Sequence, residues 1–170
     1  MDTVRLANAT DARAITQLQL SNWQLSHPEL AQSLVTNDVE AAWAQAITNQ
    51  GDIGRVLVCE REETLVGVAT VEFSEDVGQI SFFEVAPEVR RQLIGSRLLN
   101  AVADIAYQSG CRRMSLWLNS EQTVGRQFFE SMGWEQSGAT RTVSTVNGVS
   151  DSGQPEITEQ QCELTTSLAD

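Results

Sequence analysis

Lysine is absent from this 170-residue chain, and histidine and tyrosine occur once each, as His27 and Tyr107. All 11 basic residues are arginine, set against 23 acidic residues, for a formal net charge of -12. That balance excludes the broad basic footprint that nucleic acid requires. Cysteine is scarce as well: Cys59, Cys111 and Cys162 are an odd number, far apart and in or beside apolar segments. They read as small core residues, and with a single histidine the expectation is no metal site. No apolar run approaches the ~20 residues of a membrane span, and residues 1–13 lack the basic start and apolar centre of a signal peptide. The expectation is a cytoplasmic chain with neither membrane nor nucleic-acid partner. A hydrophobic content of 41% over this length predicts one domain spanning residues 1–170.

The periodicity then gives an element order. Val4 to Leu6 alternates as a short strand, Thr10-Asp11 opens a helix carrying Ile15, Leu18 and Leu25, and Ser26-His27-Pro28 ends it. Asn37-Asp38-Val39-Glu40 reads as a capping box ahead of a second helix, with Val39, Ala42, Trp43, Ala46 and Ile47 on one face. Arg55 to Cys59, Thr64 to Phe73 and Gln79 to Val85 read as three strands joined by charged turns. From Arg90 the period turns helical, with Ile94, Leu98, Val102 and Ile105 on a stripe and Gly110 at the C-terminal end. Arg112 to Leu118 is a strand, Glu121 to Met132 a helix with Val124, Phe128 and Phe129 apolar. Trp134 to Val146 and Ile157 to Leu168 close the chain as two strands around a Gly- and Ser-rich loop. The order β-α-α-β-β-β-α-β-α-β-β predicts an α/β fold with a mixed, mostly antiparallel central sheet flanked by helices, since only the helix after Val85 forms a crossover.

The stretch Val85-Ala86-Pro87-Glu88-Val89-Arg90-Arg91-Gln92-Leu93-Ile94-Gly95-Ser96 resembles the signature of the GNAT superfamily of N-acetyltransferases. There a strand ending in Val-x-Pro runs into Arg/Gln-x-x-Gly-x-Gly/Ala, and backbone amides at the helix start hold the pyrophosphate of acetyl-coenzyme A. The physics is that of an anion at a helix N-terminus, where unpaired N–H groups and the positive dipole end converge. A second segment, Phe128-Phe129-Glu130-Ser131-Met132-Gly133-Trp134, is similar to the family's Phe-Tyr-Glu-x-x-Gly-Phe. Three positions depart from the pattern. Leu93 replaces the first glycine, Phe129 the tyrosine assigned to protonate the leaving thiolate, and Gln122 the asparagine seven residues earlier.

The resemblance implies a GNAT-like fold and transfer of an acetyl group from acetyl-coenzyme A, a cosubstrate, to a primary amine of a small molecule or peptide. It places the cofactor against Phe83, Val85, Arg90, Arg91, Gln92, Leu93, Ile94, Gly95, Ser96, Gln122 and Phe129, with the Val85 amide polarising the thioester carbonyl. Relatives commonly pair through their terminal strands, which makes a homodimer the expected assembly. A base must also receive the ammonium proton. Glu84 and Glu72 are candidates, each a carboxylate within an apolar strand where burial would raise its pKa, whereas Gln79 stands where some relatives carry a glutamate. Trp23 and Trp43 could line an acceptor pocket, although helical spacing among apolar residues favours core for both; His27 is a candidate for the acceptor side and for a base near neutral pH. The alternative is a degenerate GNAT-fold protein that binds an acyl-coenzyme A or another ligand without turnover.

Overall fold

The computed structural model describes residues 1–28, 31–32, 38–145 and 157–168. Asn37 of the proposed capping box and the loop from Asn147 to Pro155 lie outside them. Seven strands form one sheet: β1 (Asp2–Leu6), β2 (Gly54–Arg61), β3 (Thr64–Ser74), β4 (Val77–Val85), β5 (Arg113–Asn119), β6 (Glu135–Thr145) and β7 (Ile157–Ser167), in spatial order β1-β2-β3-β4-β5-β7-β6. Among the described residues only β4 and β5 pair in parallel, joined by the crossover helix. The other neighbours are antiparallel.

Helices α1 (Ala12–Ser26) and α2 (Val39–Thr48) share a core cluster with Val56, Val58, Val66 and Val68 of β2 and β3. Helices α3 (Ile94–Gln108) and α4 (Thr123–Ser131) pack on a second cluster with Leu57, Ala69, Val71, Ile80, Met114, Leu116 and Leu164. The neighbours Val56 and Leu57 of β2, like Val68 and Ala69 of β3, thus belong to different clusters. That is why these strands read as continuous apolar runs rather than alternating ones. All three cysteines are buried and free.

The helix starts follow local chemistry. Asp38 caps α2 by accepting from the Ala41 amide at 3.1 Å, one residue later than the capping box expected. On α2 the apolar face is also narrower than its spacing suggested, since Ile47 is buried while Ala42 and Ala46 are exposed. The crossover helix begins at Ile94 rather than at Arg90. A short 3₁₀ turn (Pro87–Val89) intervenes, and Arg91 (φ 63°) and Leu93 (φ 66°) both take the left-handed conformation. On α4, Val124 is 75% exposed, so the apolar face comprises Phe128 and Phe129 without it.

Candidate active site

The sheet opens at its centre. Register between β3 and β4 slips by one residue at Ser81, and parallel pairing of β4 with β5 ends at Ile80 and Leu116. Beyond that point β5 continues along β7, while Ser81 to Val85 stays with β3 alone. The bulge bends the strand away and leaves the β5-facing edge of its last residues unpaired. The Ala86 amide donates to Val66 O at 2.9 Å on the β3 side, so alternation turns the Val85 N–H and C=O toward the opening.

Helix α3 starts beside that opening. Its first backbone bond runs from the Arg97 amide to Leu93 O at 3.0 Å, and Leu93 offers no side-chain cap. The amides of Ile94, Gly95 and Ser96 therefore lie ahead of the helical ladder, free to bind an anion. Gly95 belongs there for packing: a Cβ would stand 3.1 Å from Phe128 Cζ and 3.3 Å from Cε2. Leu93 holds the left-handed turn with its side chain 67% exposed, keeping its own N–H while its leucyl group faces solvent.

The three arginines of this region have different partners. Arg91 is exposed, with no ion-pair or hydrogen-bond partner among the described residues. Arg97 lies 3.6 Å from Asp2, which also receives Arg61 Nε at 2.7 Å and Nη2 at 3.1 Å. Those arginines hold the Asp2 carboxyl below its ordinary range, Arg61 through its hydrogen bonds first, against an opposing effect of burial. Gln92 accepts from Arg61 and donates to Glu88 O at 3.2 Å, so its amide ties the loop to β2. Arg90, exposed overall, anchors its guanidinium on two neighbours: Nη2 donates to Asn22 Oδ1 at 3.1 Å and Nε to Val85 O at 3.4 Å.

On the α1 face of β4, Glu84 is half-buried and accepts from two side chains of α1. Asn22 Nδ2 reaches Oε2 at 2.9 Å and Trp23 Nε1 reaches Oε1 at 3.1 Å. Burial pushes its pKa from the ordinary 4.5 up to about 7, outweighing those two hydrogen bonds and the charge of Arg90. His27 packs edge-on against Trp23, with ring centroids 6.4 Å apart. The structure thus brings Trp23 against Glu84 and His27 against Trp23. Glu72 does not join them: it is exposed on β3 opposite Gln79. Trp43 donates to the buried Gln19 at 2.9 Å and packs edge-on against Phe82, a structural role.

Phe83 points to the other face, half-buried, at 5.9 Å from Phe128 and 5.4 Å from Phe129 between ring centroids. Phe129 is 3% exposed and also meets Trp134 at 5.3 Å, so it is part of the core rather than an open contact. Gln122 is exposed at the N-terminus of α4 and its side chain makes no cap. Sequence reasoning missed Asn22, a buried polar residue bonded to both Glu84 and Arg90. Its only signal was an asparagine inside a helix beside a tryptophan.

A mostly antiparallel sheet opened beside a crossover helix whose first amides are free is the architecture that the sequence resemblance implies. A model of the acetyltransferase (GNAT) family matches residues 13–134, and the chain belongs to that family. Acetyl-coenzyme A is the acyl donor of the family. A Bacillus subtilis (strain 168) protein, named provisionally as a ribosomal protein bS18-alanine N-acetyltransferase, is 25% identical over 92 residues. The match takes in 54% of this chain and 61% of that protein, so the chain spans about three-fifths of the relative's length. Among solved structures, the PaiA N-acetyltransferase of Thermoplasma acidophilum in complex with coenzyme A is similar with a TM-score of 0.79 at 14% identity, covering 98% of this chain and 99% of that one. A ribosomal-protein-alanine N-acetyltransferase from Brucella melitensis is similar with a TM-score of 0.72 at 20% identity, covering 98% and 99%. These structural likenesses establish the fold. Among the described residues no helix is long and apolar enough to cross a membrane.

Proposed function

We propose that this protein transfers an acetyl group from acetyl-coenzyme A to a primary amine, by direct attack with both reactants bound, and that Glu84 receives the ammonium proton. The observation that carries the reading is Glu84 itself: a half-buried carboxylate with a pKa of about 7, on the strand end that lies beside free helix amides. A base tuned close to neutral pH accepts a proton well without being permanently protonated. The residues present fit the acyl donor. The amides of Ile94, Gly95 and Ser96 suit a diphosphate, exposed Arg91 adds charge, and Phe83 and the Val85 amide line the opening. Bound there, acetyl-coenzyme A supplies an acyl group activated as a thioester. The chain's own contribution is to hold it, turn the Val85 N–H toward the opening and present Glu84 to the acceptor.

The acceptor reading is a peptide N-terminal amine or a small primary amine, entering between Trp23, His27 and Glu84. The names of the B. subtilis and B. melitensis relatives support the peptide class, and the net charge of -12 favours a cationic acceptor. The same reading places the protein in the cytoplasm as a homodimer, paired through the outer edge of β6, which has no partner strand among the described residues. A spectrophotometric assay of free thiol release, with peptide and polyamine acceptors, tests the transfer: release that needs both acetyl-coenzyme A and an amine is expected, and its absence with every amine refutes it.

A second reading, binding without turnover, is favoured by Phe129, which lacks an acidic hydrogen and is packed away from solvent. It predicts coenzyme A binding with no thiol release. Because a thiolate is already a tolerable leaving group, we favour the active enzyme.

A further inference from the structure

We propose that Asn22 is a positioning residue whose single carboxamide sets the orientation of Glu84 and ties it to Arg90 and the end of β4. The proposal rests on the reading of Glu84 as the acceptor-side base. Asn22 belongs to α1, Glu84 and Val85 to β4, and Arg90 to the loop ahead of α3. These segments meet on one side chain, 6% exposed. Nδ2 donates to Glu84 Oε2 at 2.9 Å and to Val85 O at 3.5 Å, and Oδ1 accepts from Arg90 Nη2 at 3.1 Å. Both donors and one acceptor lone pair of the amide are therefore engaged.

The chemistry allows only one orientation of that amide. A guanidinium cannot accept, so the oxygen must face Arg90; an ionised carboxylate cannot donate, so the nitrogen must face Glu84. Flipping the group would set Nδ2 against a cation and Oδ1 against an anion. Arg90 and Glu84 thus fix Asn22, and Asn22 in turn fixes the one Glu84 oxygen that Trp23 does not hold. Leucine has the right volume and none of these bonds. Aspartate has the right shape and the wrong charge, since it would place a second carboxylate against Glu84.

The groups that face Glu84 make its titration readable. From α1 come Asn22 and Trp23, both uncharged; from the loop comes Arg90; its register partner on β3 is the apolar Val68. Helix α2 reaches β4 through Trp43 and Phe82. Arg90 is thus the one charged group acting on Glu84 among the described residues. Removing the Asn22 donors withdraws a hydrogen bond that favours the ionised form, and the midpoint must rise.

The test follows the indole Nε1–H resonance of Trp23 against pH by ¹H–¹⁵N NMR, assigned with Trp23→Phe among four tryptophans. It reports Glu84 through the bond at 3.1 Å, and because His27 packs edge-on against the same indole, His27→Ala is the background of every sample compared. Asn22→Ala is expected to move the midpoint up by about one pH unit, or to abolish the titration because Glu84 has swung away from the indole. Asn22→Asp, close to isosteric, keeps the proposal testable if the alanine variant fails to fold, and is expected to move the midpoint further up. An unchanged midpoint and amplitude in the folded variants overturns the proposal. The readout needs no turnover, so it separates the two claims. A shifted midpoint with no matching shift in the pH profile of kcat/KM upholds Asn22 as the residue that orients Glu84 and refutes Glu84 as the base.

Discussion

Trp23 and Glu84 are joined across the interface of α1 and β4 by one hydrogen bond, from the indole Nε1 to Oε1 at 3.1 Å. The bond turns an aromatic residue that would otherwise count only as packing into a partner of the carboxylate. It favours the ionised form, as does Asn22, yet burial prevails and leaves Glu84 titrating at about 7. Because His27 lies edge-on against the same indole, the only histidine and the raised carboxylate share one aromatic wall.

Removing the carboxylate tests its role in chemistry. Glu84→Gln keeps the size of the side chain and deletes the base, and kcat/KM is expected to fall on the order of 10² to 10⁴. In the wild-type chain the acid limb of the pH profile should sit near pH 7, and it should vanish in the variant. Steady-state rates between pH 5 and 9 provide the check.

The same group makes stability depend on pH, with a sign opposite to that of a salt-bridged carboxylate. Its folded pKa of about 7 exceeds the ordinary 4.5, so between those values the folded state binds more protons than the unfolded one. Stability therefore falls as pH rises through that window, by up to about 3 kcal/mol, and the penalty is complete above pH 7. Urea unfolding at pH 5 and pH 8 should show a decline that Glu84→Gln largely removes.

Leu93 adopts φ 66° at the N-terminus of α3 with its side chain largely in solvent. A left-handed leucine costs about 1–2 kcal/mol, and glycine escapes this while losing more conformational entropy on folding. Leu93→Gly is expected to stabilise the fold by about 0.5–1 kcal/mol in urea unfolding and to tighten coenzyme A binding.

Restoring the family's tyrosine at 129 should be costly here. Phe129 is 3% exposed and packed by Phe83, Phe128 and Trp134, so a hydroxyl enters an apolar cluster. Phe129→Tyr is expected to lose about 1–3 kcal/mol of stability. Denaturant midpoints measure this.

Much of the architecture was written in periodicity. The change from strand to helix after Val85 and the glycine at 110 sufficed to place the crossover and hence the mixed sheet. The end of the sequence motif nearest α3 was legible for the same reason, since free amides follow from any helix start. Side-chain direction was not. Arg90 and Arg91 are exposed neighbours of one type, yet one bonds to Asn22 and the other has no partner among the described residues, because the left-handed turn at Arg91 separates them. Glu84 and Glu72 looked alike as carboxylates in apolar strands. Only the packing of α1 over β4 buries Glu84 and leaves Glu72 exposed. The role of Asn22 could not be read from an asparagine inside a helix, for its partners lie 62 and 68 positions away in sequence.

Isothermal titration of the intact chain with acetyl-coenzyme A, with Arg91→Ala and desulfo-coenzyme A as comparisons, tests the central claim most directly. Micromolar binding that weakens several-fold in Arg91→Ala is the predicted result. No heat of binding up to millimolar acetyl-coenzyme A would contradict the account and leave a GNAT fold with another use.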